Sequence, residues 1–181
     1  LRITTYRSAL HVQGTTKASR QVVIRSESEG RVSELPVSKG WQVAANTLIA
    51  RLPLNGADVR LREMKALVEQ RRLEYAAAKK LHKQGYRSQT QLAEAFARLE
   101  GAHAAHYRAE KAVSDTLIFT PFSGVLVERH IEVGDYLKKG DPVATVADLA
   151  TILVTGTVGE MDRAELHTGQ SAVARLLNGS E

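Results

Sequence analysis

The stretch that decides the fold is GRVSELPVSKGWQVAANTLIARL, residues 30–52, because a second version of it follows as GVLVERHIEVGDYLKKGDPVATV, residues 124–146. The two versions align at an offset of 94 residues. The matched pairs are Gly30 with Gly124, Val32 with Leu126, Glu34 with Glu128, Val37 with Ile131, Gly40 with Gly134, Val43 with Leu137, Asn46 with Gly140, Ile49 with Val143, Ala50 with Ala144, and Leu52 with Val146. An internal repeat reflects a repeated structural unit, so both versions are expected to form the same small fold.

Each repeat is predicted to consist of short strands joined by tight turns. Its apolar residues recur at a loose spacing of two, and turn-forming residues bound each run. Gly40 and Gly134 stand where a turn requires a positive φ angle, which glycine adopts without steric cost. Asn46 stands where the second repeat has Gly140, and asparagine also tolerates this conformation. Because a short β unit cannot bury its apolar face alone, the two repeats are expected to pack face to face.

The segment between the repeats is predicted to form a long antiparallel helical hairpin. No proline occurs from Leu54 to Thr120, and strong helix formers dominate the segment. Both arms carry a heptad pattern, which is typical of a coiled-coil seam. The seam positions are Leu61, Met64, Val68, Arg71, Tyr75 and Ala78 in the first arm, and Leu92, Ala95, Leu99, Ala102, His106, Ala109 and Val113 in the second.

The reversal of this hairpin is predicted near Gly85. Gly85 interrupts the run where a helix end is expected, and Ser88 is expected to cap the returning helix. Arms of roughly 27–30 residues would project roughly 40–45 Å at 1.5 Å per residue. A hairpin of that length indicates contact with a distant partner rather than a contribution to the stability of the fold.

The repeat pattern resembles one half of a biotinyl- or lipoyl-type domain, which is a flattened sandwich of two similar halves. Carrier members of that group join the halves through a tight hairpin that bears the modified lysine. Here residues 53–120 replace that join, and no lysine lies on a short turn between the repeats. A carrier is therefore the less favoured interpretation, and a covalent lipoyl or biotinyl group would support it.

The order of the segments resembles a periplasmic adaptor, or membrane fusion protein (HlyD-like), over nearly the whole chain. The re-entry after the hairpin reads TPFSGVL at residues 120–126, and VGDYLKKGD follows at 133–141. VGEMD at residues 158–162 then leads through a short helical turn to GQSAV at 169–173. The resemblance implies an α+β fold, a lipoyl-type barrel-sandwich hybrid split by a long antiparallel α-helical hairpin, with part of an adjoining β-barrel domain.

The same resemblance implies the domain boundaries. Residues 1–14 are expected to form the first strand of the β-barrel domain, and residues 151–181 an incomplete further part of it. Residues 15–54 and 117–150 are expected to form the lipoyl-like hybrid, with the hairpin at 55–116. The sandwich turns are assigned to Gly30, Gly40, Gly124, Gly134 and Gly140.

The resemblance further implies that the hairpin tip docks onto an outer-membrane channel. Many adaptors with such partners carry an arginine, a leucine four residues later and a serine seven beyond that. Leu81 and Ser88 keep this spacing, but Ala77 stands at the arginine position. A second interpretation treats the cations of this region as an ordinary solvated helix end. The predicted contact residues are Lys80, Leu81, Lys83, Gln84, Gly85, Arg87 and Ser88.

The implied function is an adaptor between an inner-membrane efflux transporter and an outer-membrane channel, without chemistry of its own and without a cofactor. A proton-driven transporter of the resistance-nodulation-division type is the favoured partner, and an ABC-type exporter or secretion system is the main alternative. A plain coiled-coil scaffold is a third interpretation. Self-association into a ring, expected to be a hexamer, would seal the conduit. The implied location is the periplasm, with attachment to the inner membrane through a segment outside this chain.

Composition and motifs weigh against other functions. The formal net charge of +5 invites a nucleic-acid interpretation, but aromatic residues are scarce and no groove-reading motif is present. No nucleophile elbow, phosphate-binding loop or zinc-protease motif supports an enzyme. His103 and His106 have a spacing that could ligate a metal, but packing at the helix seam is favoured and no metal is expected. The absence of cysteine suits an extracytoplasmic protein that has no disulfides.

Overall fold

A computed structural model describes residues 10–175, and these divide into two units. One unit comprises residues 22–146, and the other comprises residues 10–21 with 147–175. The fold is mixed, with two α-helices in the described part of the chain. The elements are β1 Gly14–Arg25, β2 Gly30–Arg31, β3 Gln42–Val43, β4 Leu48–Arg51, α1 Ala57–Lys83, α2 Gln89–Ser114, β5 Leu117–Phe119, β6 Gly124–Arg129, β7 Tyr136–Leu137, β8 Pro142–Gly156, and a 3-10 helix at Asp162–Glu165.

The two repeats exchange strands, in the sense that strands of one repeat pair with strands of the other. Strand β2 of the first repeat pairs antiparallel with β7 of the second, and β6 of the second pairs antiparallel with β3 of the first. Gly30 lies opposite Leu137, and the residues related to them by the repeat, Gly124 and Val43, also lie opposite each other. The pairing is therefore the same when the repeats are interchanged, as expected for two halves related by an approximate two-fold axis.

One hydrophobic core takes the same positions from both repeats. The matched pairs that are buried on both sides are Val32 with Leu126, Val37 with Ile131, Val43 with Leu137, Ile49 with Val143, Ala50 with Ala144, and Leu52 with Val146. The matched glutamates Glu34 and Glu128 are exposed in both repeats. The prediction that residues 30–52 and 124–146 pack against each other in one unit is thereby confirmed.

The structural equivalence of the two repeats begins four residues before Gly30 and Gly124, where the sequence match begins. Ser26 precedes the first repeat and Thr120 precedes the second by the same interval, and both are 2% exposed. The amide of Gly140 donates to the carbonyl of Ser26 at 2.8 Å, and the amide of Asn46 donates to the carbonyl of Thr120 at 2.8 Å. The shared role is carried by backbone carbonyls, so residue type alone did not indicate this relationship.

The turns of the two repeats match in their backbone conformation. Gly40 has a φ of 86° and Gly134 a φ of 100°, and Asn46 has a φ of 62° where Gly140 has 96°. Each angle lies in the left-handed region that the sequence predicted from the residue types.

Two of the five glycines assigned to turns occupy another position. Gly30 is the first residue of β2, and Gly124 is the first residue of β6. Both take part in the exchanged strand pairs. Their assignment as turn residues is therefore corrected, because glycine occurs at strand ends as well as in turns and residue type does not separate the two.

Helices α1 and α2 form the predicted hairpin. They have 27 and 26 residues, or roughly 40 Å at 1.5 Å per residue. They pack mainly on each other rather than on the strands. Every predicted seam position is buried or half-buried, and Ala78, Leu99, Ala102 and Ala109 are the most enclosed. Three of these four are alanine, a residue small enough to let two helix axes lie close together.

Strands β4 and β5 hold the two ends of the hairpin together. They pair antiparallel, with Ala50 opposite Ile118 and Arg51 opposite Leu117. Just beyond them, the ammonium of Lys111 near the end of α2 contacts the carboxylate of Glu27 at 2.6 Å and that of Asp115 at 2.5 Å. These contacts attach the base of the hairpin to the segment before β2.

The unit formed by residues 10–21 and 147–175 contains the first part of β1 and the last part of β8. Strand β1 lies beside β8 in the sheet, and the hydroxyls of Thr15 and Thr155 lie 3.3 Å apart. The predicted helical turn after VGEMD is present as the 3-10 helix. The strands of residues 10–175 form open sheets and no closed barrel. Most of the barrel strand predicted at residues 1–14, and the end of the segment predicted at 151–181, lie outside the described residues.

Candidate docking site

Helix α1 ends in a glycine-capped turn at the tip of the hairpin. Gln84 follows the last helical residue, and Gly85 then adopts a φ of 80°. The amide of Gly85 donates to the carbonyl of His82 at 3.0 Å, and the amide of Tyr86 donates to that of Leu81 at 2.9 Å. This pair of bonds is the Schellman arrangement, which satisfies carbonyls left unpaired at a helix end. The turn predicted at Gly85 is thereby confirmed.

Helix α2 begins with a reciprocal cap. The hydroxyl of Ser88 accepts a hydrogen bond from the amide of Gln91 at 3.2 Å. The side-chain oxygen of Gln91 accepts one from the amide of Ser88 at 3.1 Å. Both donors would otherwise lack a partner within the helix. The prediction that Ser88 caps this helix is confirmed, and the contribution of Gln91 is an addition to it.

The two tip residues that keep the adaptor spacing differ in how they are engaged, because the cap of α1 uses the backbone of Leu81 and the cap of α2 uses the side chain of Ser88. Leu81 is half-buried, and its carbonyl is part of the glycine cap. Ser88 is exposed, but its hydroxyl is part of the helix cap. Ala77, at the arginine position, is exposed and offers only a methyl group. The other predicted contact residues are exposed: Lys80, Lys83, Gln84, Gly85 and Arg87.

The cations of the tip differ from those along the arms. Along the arms, arginines pair with acids one helical turn away: Arg62 with Asp58, Arg71 with Glu74, Arg72 with Glu69, and Arg98 with Glu94. Residues 75–93 contain no acid. The two acids that bound this interval, Glu74 and Glu94, both belong to those arm pairs. The tip therefore carries positive charge that the hairpin itself does not neutralise.

Sequence reasoning missed two further residues at the tip. Tyr86 is 78% exposed at the reversal, and in sequence it lies between Lys83 and Arg87. His82 is half-buried, and its Nδ1 atom lies 2.8 Å from the carbonyl oxygen of Arg87 across the turn. The one sequence signal that could have drawn attention to Tyr86 is its place directly after the predicted turn glycine Gly85.

A comparison with protein families finds no matching family model. One curated relative is the multidrug resistance protein MdtA of Proteus mirabilis (strain HI4320). It is 26% identical over an alignment 169 residues long that covers 84% of this chain and 41% of the relative. The chain thus spans about two fifths of the length of the curated relative it matches.

Solved structures share the arrangement just described. A MacA-MexA chimeric protein that contains the Pseudomonas aeruginosa MexA α-hairpin domain matches with a TM-score of 0.80 and 21% identity, over 88% of this chain and 58% of the other. The membrane fusion protein Spr0693 of Streptococcus pneumoniae R6 matches with a TM-score of 0.67 and 18% identity, over 87% and 71%. The chain has the fold of a membrane fusion protein. The resemblance predicted from its sequence is thereby confirmed.

A third solved structure, a putative efflux transporter from Bacteroides eggerthii DSM 20697, agrees with this membrane fusion protein fold. It matches with a TM-score of 0.73 and 19% identity, over 90% of this chain and 52% of the other. All three solved structures extend well beyond the matched region.

Within the described residues, the histidines do not cluster with other potential metal ligands. His103 is exposed and His106 is half-buried at the helix seam. Within residues 10–175, no three His, Asp or Glu side chains are grouped as a metal site would require. In the same part of the chain, no helix is both long enough and apolar enough to cross a bilayer.

Proposed function

We propose that this chain belongs to a periplasmic adaptor that bridges an inner-membrane efflux transporter and an outer-membrane channel. The observation that carries the proposal is the split core, in which two strand-exchanging repeats share one interior and a two-helix hairpin emerges between them. The helices pack mainly on each other, which suits a projection rather than a core element. The likeness to a multidrug resistance protein and to a membrane fusion protein supports the same function.

We assign the strand-exchanging unit to a lipoyl-type barrel-sandwich hybrid. Its approximate two-fold symmetry and short strands support this assignment. The long strand β8 and the 3-10 helix after it support an adjoining β-barrel domain, to which residues 1–14 and 151–181 are assigned. A modified lysine at a tight join between the repeats would be expected of a carrier, but α1 and α2 occupy that position.

The proposed mechanism involves assembly and no bond-making step. Hairpins from neighbouring copies pack side by side, while the hybrid domains stack into a ring, for which six copies are proposed. The tips meet the outer-membrane channel, and the β-barrel domains lie near the transporter in the periplasm. Each contact is weak, but repetition around a ring raises the effective concentration of every further contact.

A proton-driven transporter of the resistance-nodulation-division type is proposed as the inner-membrane partner. The hairpin length and the segment that follows β8 resemble that branch of adaptors. An ABC-type exporter is the alternative partner. The two can be separated in cells, because collapsing the proton gradient stops export through the first type while ATP depletion stops export through the second.

The decisive experiment is copurification of the tagged full-length protein from its native membrane. An inner-membrane transporter is expected in the purified complex, and removal of the gene is expected to make cells more sensitive to exported compounds. Recovery of the protein without any transporter, together with unchanged sensitivity, would favour a plain coiled-coil scaffold. A covalent lipoyl or biotinyl mass would favour the carrier.

A further inference from the structure

The tip of the hairpin presents three cations that no neighbouring acid balances. Lys80, Lys83 and Arg87 are exposed, and the structure of residues 10–175 gives none of them an ion pair. Lys79 lies beside them, with its ammonium 6.0 Å from the centre of the Tyr75 ring. The nearest acids in the sequence are Glu74 and Glu94, and each forms an ion pair with an arginine of its own arm.

Helix stability explains only part of this charge. Lys80 and Lys83 lie in the last turn of α1, where positive charge interacts favourably with the helix dipole. Arg87, however, immediately precedes the residue that caps α2. Positive charge is unfavourable at the start of a helix, and the first turn of α2 contains no acid to offset it. The placement of Arg87 therefore calls for a partner outside the hairpin.

The backbone between the two helices is held on both sides. The glycine cap of α1 and the reciprocal cap of α2 leave only Gln84 to Arg87 between them. The contact between His82 and the carbonyl of Arg87 closes the turn. A turn fixed in this way presents its side chains with little loss of backbone entropy on binding, which favours recognition.

Tyr86 lies between Lys83 and Arg87 in the sequence and offers an aromatic side chain for binding a partner. Its ring is 78% exposed. Tyrosine and arginine, with tryptophan, are enriched among the residues that dominate binding at protein interfaces. The Ser88 hydroxyl, by contrast, is engaged in the helix cap, and the Leu81 side chain is half-buried.

We propose that the tip docks onto an acidic protein surface, with Lys80, Lys83 and Arg87 contacting carboxylates around the ring of Tyr86. In this chain, that set takes the place of the arginine, leucine and serine that the family uses at its tip. The inference rests on the proposed adaptor function, in which the acidic surface belongs to the periplasmic end of the outer-membrane channel.

A binding experiment tests the chemistry with a defined probe. The purified full-length protein is passed over immobilised poly-L-glutamate at increasing salt. The variant Lys80→Gln, Lys83→Gln, Arg87→Gln is compared with Arg60→Gln, Lys65→Gln, Arg108→Gln, which removes three exposed arm cations and changes the net charge equally. The tip variant is expected to lose at least tenfold in affinity, and the arm variant less than threefold. Equal losses in both variants would overturn the proposal.

A lipid surface is tested in parallel. Vesicles of phosphatidylglycerol carry phosphates in place of carboxylates. Tighter binding of the unchanged protein to these vesicles than to poly-L-glutamate, lost in the tip variant, would mean that the tip recognises an anionic membrane and would overturn the acidic-protein proposal. Weaker binding to the vesicles supports it.

Export in cells distinguishes this inference from the adaptor function itself. If the adaptor function is wrong, deletion of the gene leaves drug sensitivity unchanged. If only the inference is wrong, deletion sensitises the cells but the tip variant protects them as well as the unchanged protein does. The inference expects the tip variant and Tyr86→Ser to sensitise cells at normal protein levels, while the arm variant and Tyr86→Phe protect them.

Discussion

Ser88 and Gln91 satisfy each other's backbone amides at the start of α2, through bonds of 3.2 Å and 3.1 Å. Ser88 is one of the residues predicted to contact a channel, but its side chain also has a structural use that a docking assay alone would overlook. A loss of export after substitution of Ser88 would combine a weakened helix with any lost contact.

The cap can be separated from docking by the choice of substitution. Ser88→Ala removes the acceptor and is expected to lower the free energy of unfolding by about 1 kcal/mol, whereas Ser88→Asn keeps an acceptor and is expected to change it little. Chemical denaturation of the full-length protein measures both. If Ser88→Asn is as destabilising as Ser88→Ala, the cap does not contribute as the geometry indicates.

The seam of the hairpin is expected to tolerate no charge at Leu99. Its side chain is 7% exposed, so Leu99→Asp would bury an unpaired carboxylate between the helices. A loss of roughly 2–5 kcal/mol is already expected for Leu99→Ala, and Leu99→Asp is expected to exceed it. Helix content by circular dichroism and thermal melting are the measurements.

The matched control for that substitution is Ala97→Asp on the exposed side of α2. It introduces the same side chain into the same helix and is expected to cost only the difference in helix propensity, up to about 0.7 kcal/mol. Similar melting of the two variants would show that the arms do not pack along the seam.

The repeat itself predicts which substitutions its turns accept. Gly140 has a φ of 96°, and an added Cβ atom there would meet nothing within 4 Å, so the cost of Gly140→Ala is conformational. That cost is roughly 1–2 kcal/mol. Gly140→Asn is expected to cost less, because Asn46 already adopts the same conformation in the first repeat.

The reciprocal exchange at Asn46 completes this test. Asn46→Gly is expected to be nearly neutral, and Asn46→Ala is expected to destabilise the protein to a similar extent as Gly140→Ala. In unfolding measurements, the two alanine variants should therefore be destabilised to a similar extent, and Gly140→Asn and Asn46→Gly should both be less affected. A destabilising Asn46→Gly accompanied by a neutral Asn46→Ala would contradict the equivalence of the two turns.

Stability near the base of the hairpin should depend on pH through Glu27 and Lys111. The hydrogen bond from Lys111 lowers the pKa of Glu27 below its ordinary value of 4.5. Hydrogen bonds to Asp115 and then Glu27 raise the pKa of Lys111 above its ordinary value of 10.5. A lowered carboxylate pKa stabilises the fold above 4.5 and loses this effect as pH falls through the folded value, and a raised ammonium pKa stabilises below 10.5 and loses it as pH rises.

Glu27→Gln should therefore lower the melting temperature modestly at neutral pH and have a shrinking effect as pH falls below 4.5. The effect is modest because both side chains of the pair are more than half exposed. Glu29→Gln, which alters an exposed carboxylate two residues away, serves as the control. A difference between Glu27→Gln and the unchanged protein that stays constant down to strongly acidic pH would rule out this coupling.

The features that sequence predicted well have simple periodicity. The repeat was visible because its core positions require apolar residues and its turns require glycine or asparagine. The seam was visible because a heptad pattern places residues such as Leu99 and Ala109 on one helix face. Ser26 and Thr120 escaped notice because their role is carried by backbone carbonyls, which leave little trace in residue type.

The tip was predicted less completely for a related reason. The resemblance to adaptors directed attention to Leu81 and Ser88, because their spacing matches the pattern it implies. Whether a side chain is free or engaged depends on hydrogen bonds between residues such as Ser88 and Gln91, which spacing alone does not reveal. The exposure of Tyr86 likewise depends on how the reversal at Gly85 directs the chain.

The pairing of strands between the repeats also determines the order in which parts of the newly synthesised chain can fold. The edges of β2 and β3 are completed only by β7 and β6, which are synthesised after the entire hairpin. The hairpin consists of local contacts and can form early, whereas the core must await contacts between residues far apart in sequence, a class that forms slowly. During that interval the first repeat exposes unpaired strand edges, so this nascent segment is where a chaperone would protect the chain from aggregation.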